Sequence, residues 1–154
     1  MKRRIFGLAL AVLFLCLIAA GQAPPQKRAA GKKYFALNDA LPKTPFSTAV
    51  LVHDTLYVSG TLATNPETGK FVEGPIDIQA ERVIRNIEIV LEKAGFALSD
   101  VVAATVYITD FKEFADFNAV FRKWFPQNPP TRATVQVAAL AMNAKIEISA
   151  VAVR

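Results

Sequence analysis

The chain has 154 residues and a formal charge of +5, enough for one compact domain and little more. Residues 1–33 hold seven of the eighteen basic side chains and no acidic one, whereas from Tyr34 onward eleven basic and thirteen acidic side chains sum to −2. The positive total therefore belongs to the leader and is a poor argument for nucleic-acid binding by the domain. The only cysteine, Cys16, also lies in the leader, and the only histidine is His53. Their scarcity excludes an intrachain disulfide, a thiolate nucleophile in the domain and any multi-histidine metal site.

In chain order, Lys2-Arg3-Arg4 precede an unbroken apolar run from Ile5 to Ala20. A cationic head, an apolar segment and small residues after it predict a signal peptide or short membrane anchor over 1–23. On that reading the protein is exported, periplasmic or secreted, and meets a membrane only through this segment if it is uncleaved. Lys27, Arg28, Lys32 and Lys33 follow the run and cut against simple export, because positive charge there resists translocation. Residues 24–33 read as a flexible basic linker and 34–154 as the α+β domain.

Within the domain, KYFAL at 33–37, FSTAVLV at 46–52 and TLYVSG at 55–60 read as short strands, the last two joined by a turn at His53-Asp54. A helix is expected from Asp77, whose side chain can accept from the first-turn amides, to Ala94. Ala80, Val83, Ile84, Ile87, Val90 and Leu91 line one face of it, and Gly95 suits the left-handed residue that ends it. VVAATVYIT at 101–109 is β-branched and nearly uncharged, as a central strand should be. A second helix is expected from Asp110, with Glu113 in the capping-box position and Pro126 as its stop. Its aromatic stripe (Phe114, Phe117, Phe121, Trp124, Phe125) has the spacing of a core face. Strands over 131–140 and 144–153 complete the domain, with a turn around Met142-Asn143.

Two helices against one mixed sheet make an α+β layer fold. The sheet face without helices is rich in Val, Ala and Ile, so it is expected to meet other copies of the chain. Period-two alternation puts Arg132, Thr134 and Gln136 on one face of their strand, and Glu147 interrupts the apolar IEISAVAV of the last one. If those strands are neighbours, Arg132 and Glu147 read as a cross-strand or rim ion pair worth about 0–1 kcal/mol. The alternative is a fixed cation awaiting an anionic ligand. Asn118 shares a helical side with Phe114 and Phe121, where a solvated residue is less expected.

Four blocks in order, NPETGKFVEG, RVIRNIEIVLEKAG, VVAATVYITDFKEFADFNAVFRKWF and PPTRATVQVAAL…AKIEISAVAV, resemble the Rid family over about residues 43–154. These are the reactive-intermediate deaminases, also called YjgF-like or liver perchloric-acid-soluble proteins. The resemblance implies a chorismate-mutase-like mixed sheet with two helices on one face, assembled as a homotrimer with clefts between subunits. It implies hydrolysis of reactive 2-imino or enamine acids such as 2-aminoacrylate to 2-oxo acids and ammonia, as by a 2-iminobutanoate/2-iminopropanoate deaminase, with no metal or organic cofactor. Arg132 falls on the arginine that holds the substrate carboxylate and Glu147 on the glutamate that orients the attacking water. Asn118 and Ser59 fall on cleft positions, and the backbone of Ala133-Thr134 lines the same pocket. The chain departs from the family where Phe46 replaces a tyrosine and Thr134 a cysteine. A non-catalytic trimeric binder of small carboxylates, or a holdase, is the alternative. An endoribonuclease is less attractive on the −2 domain charge and the lack of a histidine pair, and no nucleic-acid partner is expected.

Overall fold

Among the described residues, six strands and two α-helices form where apolar residues recur with the matching period. The computed structural model describes residues 31–39 and 44–154. Its elements are β1 (Lys33–Phe35), β2 (Ala49–Val52), β3 (Thr55–Thr61), α1 (Ile76–Ala94), β4 (Val101–Ile108), α2 (Phe114–Trp124), β5 (Thr131–Gln136) and β6 (Ile146–Val153). The strands make one mixed sheet in the order β1-β2-β3-β6-β4-β5. Only β4 and β5 run parallel, and α2 is the crossover between them, since parallel neighbours cannot be joined by a tight turn.

Both helices cover one face. α1 buries Ile76, Ala80, Val83, Ile84, Ile87, Val90 and Leu91, and α2 buries Phe117, Val120 and Phe121. They pack with Leu56, Val58, Val106, Ile108, Ile146, Ile148, Ala150 and Ala152 in one core cluster. Burial of each larger side chain stabilises the fold by about 1.5–3 kcal/mol. α1 stops where expected: Gly95 has φ 80°, its N–H reaches Glu92 O, and Phe96 N–H bonds to Leu91 O while its ring is buried. His53, at φ 55°, occupies the turn between β2 and β3.

Several boundaries differ from the sequence reading. α1 begins at Ile76 behind Pro75, and the Asp77 carboxylate accepts only from its neighbour Ile78 N–H at 2.8 Å. Asp110 caps a single 3₁₀ turn over Phe111–Glu113 through Lys112 N–H, and α2 proper starts at Phe114. Glu113 closes no capping box. Its carboxylate accepts from Lys145 Nζ at 2.6 Å. β5 ends at Gln136, four residues early, as the chain bends toward the left-handed pair Met142 and Asn143.

The helix-free face carries the other alternate residues. Tyr34, Val50, Tyr57 and Val151 stand in one cross-strand row, with Tyr107, Glu147 and Val135 in another. Tyr34, Tyr57, Val135 and Val153 are all exposed there. This is the apolar face that alternation forecasts.

One expectation is corrected. Residues 1–23, read as a signal peptide or anchor of a periplasmic protein, lie outside the described residues. Among the described residues no helix is long and apolar enough to cross a membrane. The two helices present are amphipathic, each with a charged outer face. The signal-peptide and periplasmic assignment is not retained.

Candidate functional site

The strand order decides which polar residues can meet. β5 and β6 are not neighbours, because β4 lies between them. Arg132 pairs with Ala104 and Glu147 with Tyr107 on β4, three residues further along. Two strand spacings of ~4.8 Å and three residues at ~3.3 Å separate their Cα atoms by roughly 14 Å. Pleating adds a second barrier. Arg132 pairs with core-facing Ala104 and points to the helix layer, whereas Glu147 alternates with buried Ile146 and Ile148 and points to the open face. The cross-strand ion pair weighed from the sequence does not form.

The first cluster stands on the helix side of edge strand β5. The half-buried Arg132 guanidinium donates from Nη2 to Asn118 Oδ1 at 2.7 Å. Its Cζ lies 4.6, 5.0 and 5.7 Å from the ring centroids of Phe121, Phe117 and Phe114. Asn118 joins these rings because all four recur at helical spacing on α2. The stripe is core, as its spacing indicates, yet its edge is also a platform for a cation. Burial first, and the like charge of Arg122 second, hold Arg132 below the ordinary guanidinium value. It nevertheless stays charged at any working pH. Among the described residues no carboxylate pairs with it. Thr134, on the same face, has a buried hydroxyl without a hydrogen-bond partner.

The second cluster stands on the open face, where a bulge between Val58 and Thr61 shifts the pairing of β3 with β6. A Cβ on Gly60 would fall 1.9 Å from Glu147 Oε1 and 2.9 Å from its Cδ. The carboxylate therefore lies across the glycine backbone, beside Ser59. Ser59 N–H bonds to Thr48 O at 2.9 Å, which brings the segment holding Phe46 to the same end of the sheet. Phe46 is 58% exposed.

One chain thus holds two separate polar clusters: Arg132, Asn118 and Thr134, with the Ala133 backbone on the strand edge; and Glu147 and Ser59, with Phe46 at the same end of the sheet. Sequence reasoning missed Gly60 and the platform role of the phenylalanines. A glycine inside a strand signals close approach of another group, and that signal was available in VSG.

A mixed sheet with two helices on one face and polar clusters at its edge and open face defines the chorismate-mutase-like α+β class. The family described as Endoribonuclease L-PSP (Ribonuc_L-PSP) matches residues 37–154, and the chain belongs to it, among the Rid or YjgF-like proteins. A RutC family protein of Sulfurisphaera tokodaii is 43% identical over 110 residues, 71% of this chain and 88% of the relative. The 2-iminobutanoate/2-iminopropanoate deaminase of Homo sapiens is 38% identical over 110 residues, 71% of this chain and 80% of that protein. Among solved structures, E. coli TdcF with bound serine is 31% identical with a TM-score of 0.72, over 79% of this chain and 97% of that one.

Proposed function

We propose that the protein hydrolyses reactive 2-imino acids and their enamine tautomers to 2-oxo acids and ammonia, in clefts formed between copies of a homotrimer. The observation that carries this reading is Arg132: a half-buried guanidinium, laid on Phe121 and tethered by Asn118, with no carboxylate partner among the described residues. Such a group offers parallel donors to a planar carboxylate. Glu147 stands too far from Arg132 in its own chain, so a second copy supplies it. The exposed apolar sheet face is suited to that association. A relative named as an imine deaminase and a relative's structure with serine, itself a small carboxylate, support the same chemistry.

In the proposed reaction Arg132 fixes the substrate carboxylate and Glu147 takes a proton from water as its oxygen adds to the imine carbon. Glu147 passes that proton to the nitrogen, so the C=N bond becomes a C–N single bond and a carbinolamine forms with Glu147 again a carboxylate. The carboxylate then takes the hydroxyl proton and delivers it to the amino group as the C–N bond breaks, leaving the C=O group and ammonia and regenerating Glu147. Ser59 and the backbone of Ala133-Thr134 line the cleft.

The test is decay of 2-aminoacrylate, generated in situ, with the full chain beside Arg132→Ala. Acceleration by the wild type and loss of about 100-fold in the variant are expected. An intact trimer that leaves decay at the buffer rate would sink the proposal. Phe46 favours a second reading, a non-catalytic binder of small carboxylates, because its ring offers no hydroxyl to water or ligand. Binding of a 2-oxo acid without turnover of its imine would select that reading.

A further inference from the structure

Arg132 differs from other cations around the helix layer in what the chain offers it. Lys123 has the carboxylate of Glu81 and Lys145 that of Glu113, each at 2.6 Å. Arg132 is given an amide. Asn118 Oδ1 accepts one of the five guanidinium N–H groups and brings no charge. Phe121 and Phe117, with ring centroids 4.6 and 5.0 Å from Cζ, restrict the group's swing. An aspartate at position 118 would have the same shape and accept the same bond, yet it would satisfy the cation permanently.

We propose that Asn118 is a positioning residue whose neutrality selects for anions: it aims Arg132 while leaving its charge for a ligand carboxylate. The inference rests on Arg132 being the carboxylate anchor of the proposed function. Phe121 is the second part of the device, fixing the guanidinium plane. The strain on the cation supports the idea, since burial and Arg122 both disfavour its charge until an anion arrives. A carboxylate from inside the chain would relieve that strain and close the site to others. Stability and binding therefore respond to the same substitution with opposite signs.

The test uses the full chain as wild type, Asn118→Asp and Asn118→Ala, each also with Arg132→Met. Calorimetric titration with pyruvate and with its neutral isostere pyruvamide is set beside the melting temperature. Asn118→Asp is expected to weaken pyruvate binding by about 10- to 100-fold and to change pyruvamide binding by no more than about twofold. It is also expected to raise Tm, and the rise should vanish when Arg132 is Met. Asn118→Ala should weaken pyruvate less and lower Tm. An Asn118→Asp protein that binds pyruvate as tightly as the wild type overturns the proposal. A wild type that does not prefer pyruvate to pyruvamide defeats the carboxylate-anchor reading instead. In that case the positioning claim rests on the Arg132-dependent rise in Tm, and its absence overturns the claim.

Discussion

Arg132 on β5 and Glu147 on β6 stand on opposite faces of one sheet, with β4 between them. No rotamer of either side chain spans both the strand and the face change. If the two act on one small substrate, they come from different copies. Arg132→Ala and Glu147→Gln chains, each assembled alone, are then expected to lose about 100-fold in kcat/KM. Unfolded together in equal amounts and refolded, they should recover about a quarter of wild-type activity, since a random quarter of clefts receives one intact residue from each parent. A mixture no more active than its parents would place the chemistry elsewhere.

Gly60 is required by space. A methyl group there meets Glu147 Oε1 at 1.9 Å, and the flexible carboxylate, not the strand, gives way. Gly60→Ala should therefore re-aim Glu147 and lower kcat by about 100-fold, the cost of a misplacement of ~1 Å. Tm should change little, because Gly60 is not among the residues with positive φ. A variant with wild-type kcat would mean that the direction of Glu147 is immaterial.

The elements were legible because burial dictates them. Val83, Ile84, Ile87, Val90 and Leu91 can share one face only in a helix, and the alternation of IEISAVAV can hide one face only in a strand. Local spacing left open whether Arg132 pairs with Glu147, because it does not carry strand order. A short turn between β5 and β6 resembles a hairpin, but the α2 crossover sends β5 to the outer edge beyond β4, and β6 inserts between β3 and β4. Strand order is a property of the whole chain. Arg132 and Asn118 were each singled out from sequence, but their bond depends on how α2 lies over β5.

Phe46 lies at the Glu147 end of the sheet, where the family resemblance leads one to expect a tyrosine. The exposed ring can neither donate to a water nor accept from one. Phe46→Tyr restores the hydroxyl with the same ring and nearly the same volume. If Glu147 activates water there, kcat for 2-aminoacrylate should rise by about tenfold or more, the scale of one positioned hydrogen bond. If Arg132 is the carboxylate anchor, affinity for pyruvate should be nearly unchanged. Unchanged kcat with tighter pyruvate binding would assign position 46 to ligand binding rather than to the water.

Glu81 on α1 ties the two helices together outside the proposed site. Lys123 Nζ and Trp124 Nε1, both from α2, donate to its two oxygens at 2.6 Å each. Burial pushes its pKa up, but the two donors and the charge of Lys123 outweigh it, and the carboxyl sits below its ordinary value. A carboxyl depressed in the native state stabilises the fold when ionised. That contribution is complete above the unfolded value of about 4.3 and is lost as pH falls through the lower native value. Glu81→Gln should thus have a lower Tm than the wild type at neutral pH. As pH falls below about 5 the wild-type curve should fall more steeply, until the two converge below the native value. Thermal melts across that range check this, and parallel curves would show that the charge of Glu81 does not link the helices.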